Sequence, residues 1–347
     1  MTTRIKIAIS HRPGSFSNRW IEYCKETGID YKIVNCYDND IIKQVSDCDA
    51  FMWHFSNTSS KDTLFAKQLI YSLSNTCKVV FPDFNTAWHF DDKVGQKYLL
   101  ESINAPLVPT YIFYNKHDAL EWISNSAFPK VFKLRRGAGS SNVKLVQNKN
   151  KAKKIVKKAF KKGFSQSNSV SMLKERFRKF RIGKMSFLQV IGGVYRIFLP
   201  SDYSKIQGKE RGYTYFQDFI PNNQFDIRVI VIDNKAFAVK RMVRPNDFRA
   251  SGSGNIIYDR TEINLKVVEL SFNISKKIKS DCVAFDYVFY NDEPLITEIS
   301  YGFTVEAYDP CPGYWDSEMN WHEGNFNPQT WMVDNVVNAV KLKKREG

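Results

Sequence analysis

Short apolar runs rich in β-branched and aromatic residues recur through the first part of the chain: Ile5 to Ile9, Tyr31 to Val34, Ala50 to His54 and Val79 to Phe81 read as strands. Between them the period changes. Asn18 to Thr27 and Lys61 to Ser74 carry apolar residues at helical spacing, which predicts a small doubly wound α/β domain. The region holds no G-x-G-x-x-G and no Walker A loop, which argues against a dinucleotide or P-loop site there.

The proline-punctuated stretch Pro106 to Thr110 marks a boundary. A strand at Tyr111 to Tyr114, a helix from about His117, a strand at Val131 to Leu134, a Gly/Ser-rich turn and a strand at Val143 to Val146 follow. Next comes a helix from Lys151 to Lys162, whose apolar Ala152, Ile155, Val156 and Ala159 fall at i, i+3, i+4, i+7 and which Gly163 ends. Its lysines make it a basic surface helix, with an anionic contact as the sharper reading. Residues 164 to 185 form a second basic block with Phe177 and Phe180 interleaved, either a surface helix or a platform for an acidic acceptor or a membrane. From Tyr213 to Glu306 the pattern is strand-rich, and the stretch after it is rich in Tyr, Trp and acids, suited to core packing or to stacking on sugar faces.

With 347 residues and 43% hydrophobic composition, the chain can bury two or three packed subdomains. No stretch approaches the roughly 18 uninterrupted apolar residues of a membrane span. The opening MTTRIKIAIS runs into a strand pattern instead of a secretory core, so a cytoplasmic protein without a transmembrane segment is expected. Six singly placed cysteines form no zinc pattern and read as buried thiols. A net charge of +15 implies an anionic partner: nucleotide, nucleic acid, acidic sugar or membrane surface.

Three groups of residues carry candidate chemistry. In the first, runs Cys282 to Tyr290 and Pro294 to Ser300 flank the polar turn Asn291-Asp292-Glu293, predicting a β-hairpin. With Asp292 at the turn centre, Asp286 and Glu298 become cross-strand partners on one face, their Cβ atoms about 4.5 to 5.5 Å apart. Carboxylates that close repel unless a cation lies between them or one takes a proton, and hard oxygen ligands suit Mg²⁺. Ser300 shares the face of Glu298. In the second group, a strand ending in Lys133 runs into Gly137, Gly139, Ser140 and Ser141, a flap whose backbone N–H groups and hydroxyls can cover phosphates. The third group joins Gln217, Asp218, Phe219 and Ile220 to Asp226, Arg228, Arg241 and Arg249, arginines that fit the charge of a moving phosphoryl group or a plain ion-pair network.

Taken in order, Asp92-Lys93, K-L-x-x-G-x-G-S-S, Q-D-F-I, D-I-R, R-x-x-x-x-x-D-F-R and Asp286 with E-x-S resemble the ATP-grasp superfamily, nearest to the RimK-like amino-acid ligases. The resemblance spans roughly residues 88 to 306 and implies an α/β (α+β) ATP-grasp fold. That fold would have an N-terminal α/β domain at 1–108, a lid subdomain with a basic insertion at 109–212, and a catalytic subdomain at 213–347. It implies that Lys93 and Lys133 hold ATP phosphates under the flap from Gly137 to Ser141. Gln217 to Ile220 would be the adenine hinge, with Asp226 near the ribose. Arg241 would stabilise the transferring phosphoryl group, Arg228 and Arg249 would lie near the acyl phosphate or the substrate carboxylate, and Asp286, Glu298 and Ser300 would hold two Mg²⁺ ions. The usual E-x-N is here Glu298-Ile-Ser300 and the usual R-S-N is Arg249-Ala-Ser251, departures that mark a divergent subgroup.

The activity implied is an ATP-dependent carboxylate–amine ligase that forms an amide bond through an acyl phosphate. Its substrates would be small carboxylates and amines, such as an amino acid joined to an acidic sugar or peptide-like acceptor in surface-polysaccharide or secondary biosynthesis. A non-catalytic nucleotide-binding docking protein is the alternative. Nucleic-acid binding through the basic helix is a third reading that no recognised module supports.

Overall fold

The structure is a computed structural model describing residues 4–137, 142–165, 180, 206, 208–244, 247–250 and 252–346. Its first sheet contains β1 (Lys6–Ser10), β2 (Asp30–Val34), β3 (Ala50–Trp53) and β4 (Val79–Phe81), all parallel in the order β2-β1-β3-β4. Helices α1 (Phe16–Thr27), α2 (Ile41–Gln44) and α3 (Ser60–Ser74) make the crossovers. The Ser15 side chain caps α1 by accepting from the Ser17 N–H, and Gly28 ends it at φ 68°, in the left-handed region that favours glycine. A parallel strand covered on both faces needs apolar side chains throughout. Every residue of β3 is accordingly buried.

After α4 (Phe84–Ala87) and α5 (Lys93–Ser102), the chain lays down β5 (Thr110–Phe113), α6 (Lys116–Asn125), β6 (Lys130–Lys133), β7 (Lys144–Val146) and α7 (Lys149–Ala159). A short pair, β8 (Phe164–Ser165) with β9 (Lys209–Glu210), precedes β10 (Thr214–Asp218). The second sheet runs β5-β10-β6-β7 and is antiparallel. Thr214–Asp218 thus pairs with the strands before it, not with the sheet after it. Ala119 and Ile123 of α6 and Ala152, Val156 and Ala159 of α7 pack on Phe132 and Phe216. Lys151, Lys153, Lys154, Lys157 and Lys158 of α7 are exposed, the amphipathic arrangement its periodicity predicts. The second basic block, including Phe177, falls outside the described residues apart from Phe164, Ser165 and Phe180.

The third sheet is built from β11 (Phe225–Ile232), β12 (Lys235–Met242), β13 (Ile256–Ile257), β14 (Cys282–Tyr290), β15 (Glu293–Ser300), β16 (Gly313–Asp316) and β17 (Trp321–Glu323). Its order is β15-β14-β11-β12-β16-β17, with β13 on β12. Two helices flank it, α8 (Leu265–Ile278) and α9 (Pro328–Glu346). Alternation along β11 gives each face its own core. Ile227, Val229 and Val231 pack with Val267, Val268 and Ile274 of α8. On the other face Ile230, Ile232, Phe237, Val239, Cys282 and Ala284 share a core with Ile7, Ile9 and Trp20 of the first domain and Met332 and Val336 of α9. The N-terminal domain therefore docks on the sheet face that carries Asp226 and Arg228. The linker adds a second tie, since Val108 N–H donates to Ile296 O at 3.0 Å and Ile296 N–H to Pro106 O at 2.7 Å.

The hairpin reaches its predicted pairing by another route. Its turn contains two residues, Asn291 and Asp292, both at positive φ (50° and 64°), with Tyr290 opposite Glu293. That register alone would set Asp286 against Thr297. An irregularity between Asp286 and Tyr287 adds one residue, Thr297, to β15, and Asp286 pairs with Glu298.

The aromatic stretch takes one of its two expected roles, and one cysteine departs from expectation. The aromatic stretch after Ser300 is mainly core: Tyr301, Phe303, Tyr308, Trp315 and Trp331 are buried, because the third sheet and α9 need large apolar side chains between them. Five of the six cysteines are buried and reduced, but Cys77 is exposed in the turn between α3 and β4.

Candidate active site

One face of the third sheet carries a row of charged side chains at the end away from its apolar core. Register alone brings them together: Arg241 pairs with Asp226, Arg228 with Asp286, and Asp286 with Glu298. Arg241 donates to both Asp226 oxygens, Nε at 2.6 Å and Nη2 at 2.7 Å. Its Nη2 also lies 3.0 Å from Asp286 Oδ1, and Arg228 Nε lies 2.8 Å from the same oxygen. Burial opposes charge on Asp286, but the two guanidinium groups outweigh it and hold the carboxyl below its usual range. Burial raises Asp226 despite Arg241, with Asp286 adding to the rise.

The second sheet and α5 supply the lysines. Lys93 opens α5, where the Asp92 side chain accepts from Gly95 N–H, and its Nζ donates to Gly137 O at 2.9 Å while lying 3.2 Å from Glu298 Oε1. Burial would lower Lys93, yet Glu298 and Asp91 together keep it above the usual lysine value. Lys133 ends β6 and its Nζ donates to Thr297 O at 3.2 Å. Burial, aided by Lys93 and opposed by Glu298, pulls Lys133 down to about 8. The start of the flap is held by carboxylates: Gly137 N–H donates to Asp91 Oδ1 at 2.8 Å and Arg136 N–H to Glu210 Oε1 at 3.3 Å. Burial pushes Asp91 up to about 6. Gly139, Ser140 and Ser141 lie outside the described residues.

Gln217 to Ile220 leave β10 along the same cleft. The Gln217 side chain donates to Thr110 Oγ1 at 3.1 Å, and Asp218 Oδ1 is 2.5 Å from Lys130 Nζ. Arg249 bonds Asp247 through Nε at 2.9 Å and Nη2 at 2.6 Å, on a loop that also lines the cleft. Ser300 pairs with Ala284, one step beyond Glu298, and its hydroxyl donates to Gly302 O at 3.1 Å.

All the described candidates except the fully buried Lys93 line one cleft of about 660 Å³, and Lys93 reaches it through Glu298 and Gly137. The cleft also takes Arg12, His54 and Asn57 from the N-terminal domain and Gly302 to Thr304 from the segment after β15. Sequence reasoning did not single out Arg12, His54 or Asp91. The available signal was topological: Arg12 and His54 follow β1 and β3, where strand order reverses in a doubly wound sheet.

A divalent cation can be tested against this donor set. Asp286 holds its two arginines through Oδ1, Glu298 pairs with it on the neighbouring strand, and both line the cleft. Among the described residues no group of three or more His, Cys, Asp or Glu side chains could hold a metal. Two carboxylates with water and phosphate oxygens match the habit of Mg²⁺, which seldom uses an all-protein cage.

Residues 196–309 match the family described as the RimK-like ATP-grasp domain. Over that part of the chain the sequence is similar to this family. Similar folds extend over the whole chain. D-alanine–D-alanine ligase from Bacillus anthracis, solved with ATP, shares 12% identity at a TM-score of 0.58, covering 100% of both chains. A RimK domain ATP-grasp protein from Sphaerobacter thermophilus DSM 20745 shares 15% identity at a TM-score of 0.51, covering 85% of this chain and 90% of its own. The biotin carboxylase domain of 2-oxoglutarate carboxylase from Hydrogenobacter thermophilus, with MgADP, ADP and bicarbonate, shares 12% identity at a TM-score of 0.57, covering 96% and 69%. No curated protein matches the chain in sequence. The cleft is lined by residues of the second and third sheets and of the N-terminal domain. No helix among the described residues is long and apolar enough to cross a membrane.

Proposed function

We propose that this ATP-grasp chain is an ATP-dependent, ADP-forming carboxylate–amine ligase that makes an amide bond through an acyl phosphate. The observation that carries the reading is the shared face on which Arg241, Asp226, Arg228, Asp286 and Glu298 meet Lys93 and Lys133. The fold neighbours solved with ATP and with MgADP support the same nucleotide and metal.

On this reading Lys133 and Lys93 hold the ATP phosphates, and Gln217 to Ile220 meet adenine at the hinge. Asp286 and Glu298 hold Mg²⁺, which screens phosphate charge when bound. Arg241 stabilises the phosphoryl group as it moves to the substrate carboxylate, and Arg228 holds Asp286 in place. Asp226 has both oxygens on Arg241, so its assigned part is to position that arginine. Arg249, on the loop at the cleft edge, is assigned to the substrate carboxylate. The acyl phosphate is then open to attack by an amine, and phosphate leaves. The acceptor we infer is anionic, an acidic sugar or peptide-like carboxylate, because Arg12 and Arg249 line the cleft beside the residues assigned to ATP.

The test is ADP release from ATP and Mg²⁺ with a panel of carboxylates and amines. ADP with amide formation is the expected product. AMP would overturn the acyl-phosphate route, and tight nucleotide binding with no turnover on any pair would favour the docking-protein alternative.

A further inference from the structure

Besides the two sheets, the cleft is lined by the N-terminal domain, at the carboxyl ends of β1 and β3. Strand order β2-β1-β3-β4 places the reversal of connection direction between those two strands, the crevice where open α/β sheets bind ligands. Two polar side chains occupy it. Arg12 follows β1, in a loop pinned where its backbone N–H donates to Ser17 Oγ at 3.1 Å. His54 follows β3, its ring stacked on Phe16 with centroids 3.7 Å apart.

The His54 tautomer is set by geometry. Phe16 N–H donates to His54 Nδ1 at 3.1 Å, so that nitrogen is the acceptor and the neutral ring carries its proton on Nε2. Burial, with Arg12 nearby, pulls the ring down to about 3, so it remains neutral in ordinary buffers. Gly302 keeps the space before it open: a Cβ there would meet Phe90 at 3.2 Å and His54 Nε2 at 3.8 Å. Among the described residues neither the Arg12 guanidinium nor His54 Nε2 has a polar partner, though both line the cleft. The five cleft carboxylates are engaged elsewhere: Asp226 and Asp286 by arginines, Glu298 by Lys93, Asp218 by Lys130, and Asp91 by Gly137 N–H. A cation and a directed N–H donor converge on space that no acid among the described residues fills.

We propose that Arg12 and His54 form an anion subsite that binds a carboxylate of the substrate at the end of the cleft remote from the hinge. The guanidinium supplies charge and His54 Nε2–H one directed hydrogen bond. The proposal rests on the ligase reading only in calling the ligand a substrate.

The test is ligand-observed NMR titration of the full chain, with Mg²⁺ and ADP and again without them. Acetate, glycine and succinate are each compared with the matching carboxamide, and inorganic phosphate is a separate arm. At least one carboxylate is expected to bind tenfold or more tightly than its amide. Arg12→Met should cut that preference below twofold; Arg12 is exposed, so the variant keeps the fold. His54→Ala should weaken the same probe, and His54→Gln, which restores an N–H donor, should recover part of the loss. An unchanged preference in Arg12→Met overturns the proposal, as does failure of every carboxylate to saturate. Phosphate bound more tightly than all carboxylates overturns the carboxylate assignment. ADP release is measured in parallel, and its absence would count against the ligase reading without altering the titration result.

Discussion

Asp286 and Glu298 face each other across one sheet, yet the cations around them differ in kind. Asp286 lies between Arg228 and Arg241, and Asp226 grips Arg241 from behind. Glu298 meets Lys93, with Lys133 close by on the second sheet. The arginine side stays charged at any working pH and is locked by ion pairs within one sheet. The lysine side bridges two sheets, and Lys133 titrates at about 8 because burial disfavours its ammonium. One wall is preorganised; the other, on the proposed reading, is completed by the phosphates of ATP.

The sharpest way to break this contrast is to neutralise each acid in turn. Glu298→Gln should lower ADP release by about a thousandfold or more while costing little stability, since Lys93 keeps Gly137 O and Asp91 nearby. Asp286→Asn should lose turnover similarly and also destabilise the fold by about 3 to 5 kcal/mol, because two buried arginines lose a shared counterion. Parallel ADP-release assays and urea denaturation separate the two, and equal stability losses would erase the distinction.

Next in size is Lys133→Met, expected to weaken ATP binding by roughly tenfold to a hundredfold by loss of one charged phosphate contact. Isothermal titration reads it directly. The pH dependence of the same lysine follows in size. Between about 8 and the ordinary lysine value of 10.5 the unfolded chain binds more protons at this position, so stability without nucleotide gains from Lys133 as pH rises through that window. ATP affinity moves the opposite way, falling as pH rises through about 8, and binding there takes up a proton. Titrations in buffers of different ionisation enthalpy measure that uptake; none at pH 8.5 would mean Lys133 is not the phosphate ligand. The smallest effect is expected from Ile230→Val, at the apolar end of the same sheet face. It should cost about 0.5 to 1.5 kcal/mol by denaturation and leave nucleotide affinity unchanged.

Much of this site is legible along the chain because strands alternate. Asp226 and Arg228 share a face by parity, as do Asp286 with Ala284 and Glu298 with Ser300. The lysine at the end of β6 and the arginines on β11 and β12 likewise fall on strands whose apolar pattern is plain. The four parallel strands of the first domain are equally visible, since each is a compact β-branched or aromatic run. What parity cannot supply is registration between strands far apart in sequence. Arg228 faces Asp286 across 57 intervening positions only because β11 pairs with β14. Even the local hairpin pairing of Asp286 with Glu298 depends on an extra residue, Thr297, that no turn rule predicts.

The sequence by itself determined the types and spacing of charged groups, the periodicity of each element and the order of motifs that marks an ATP-grasp chain. Those properties are local, set by φ/ψ preference and by which side chains avoid water. The tertiary structure alone decided three matters. It turned the aromatic segment inward to fill a core, used acids to hold each cation on the third sheet's active face, and brought the ends of β1 and β3 against that face. Each depends on which surfaces meet when three sheets pack, a choice made by burial over the whole molecule.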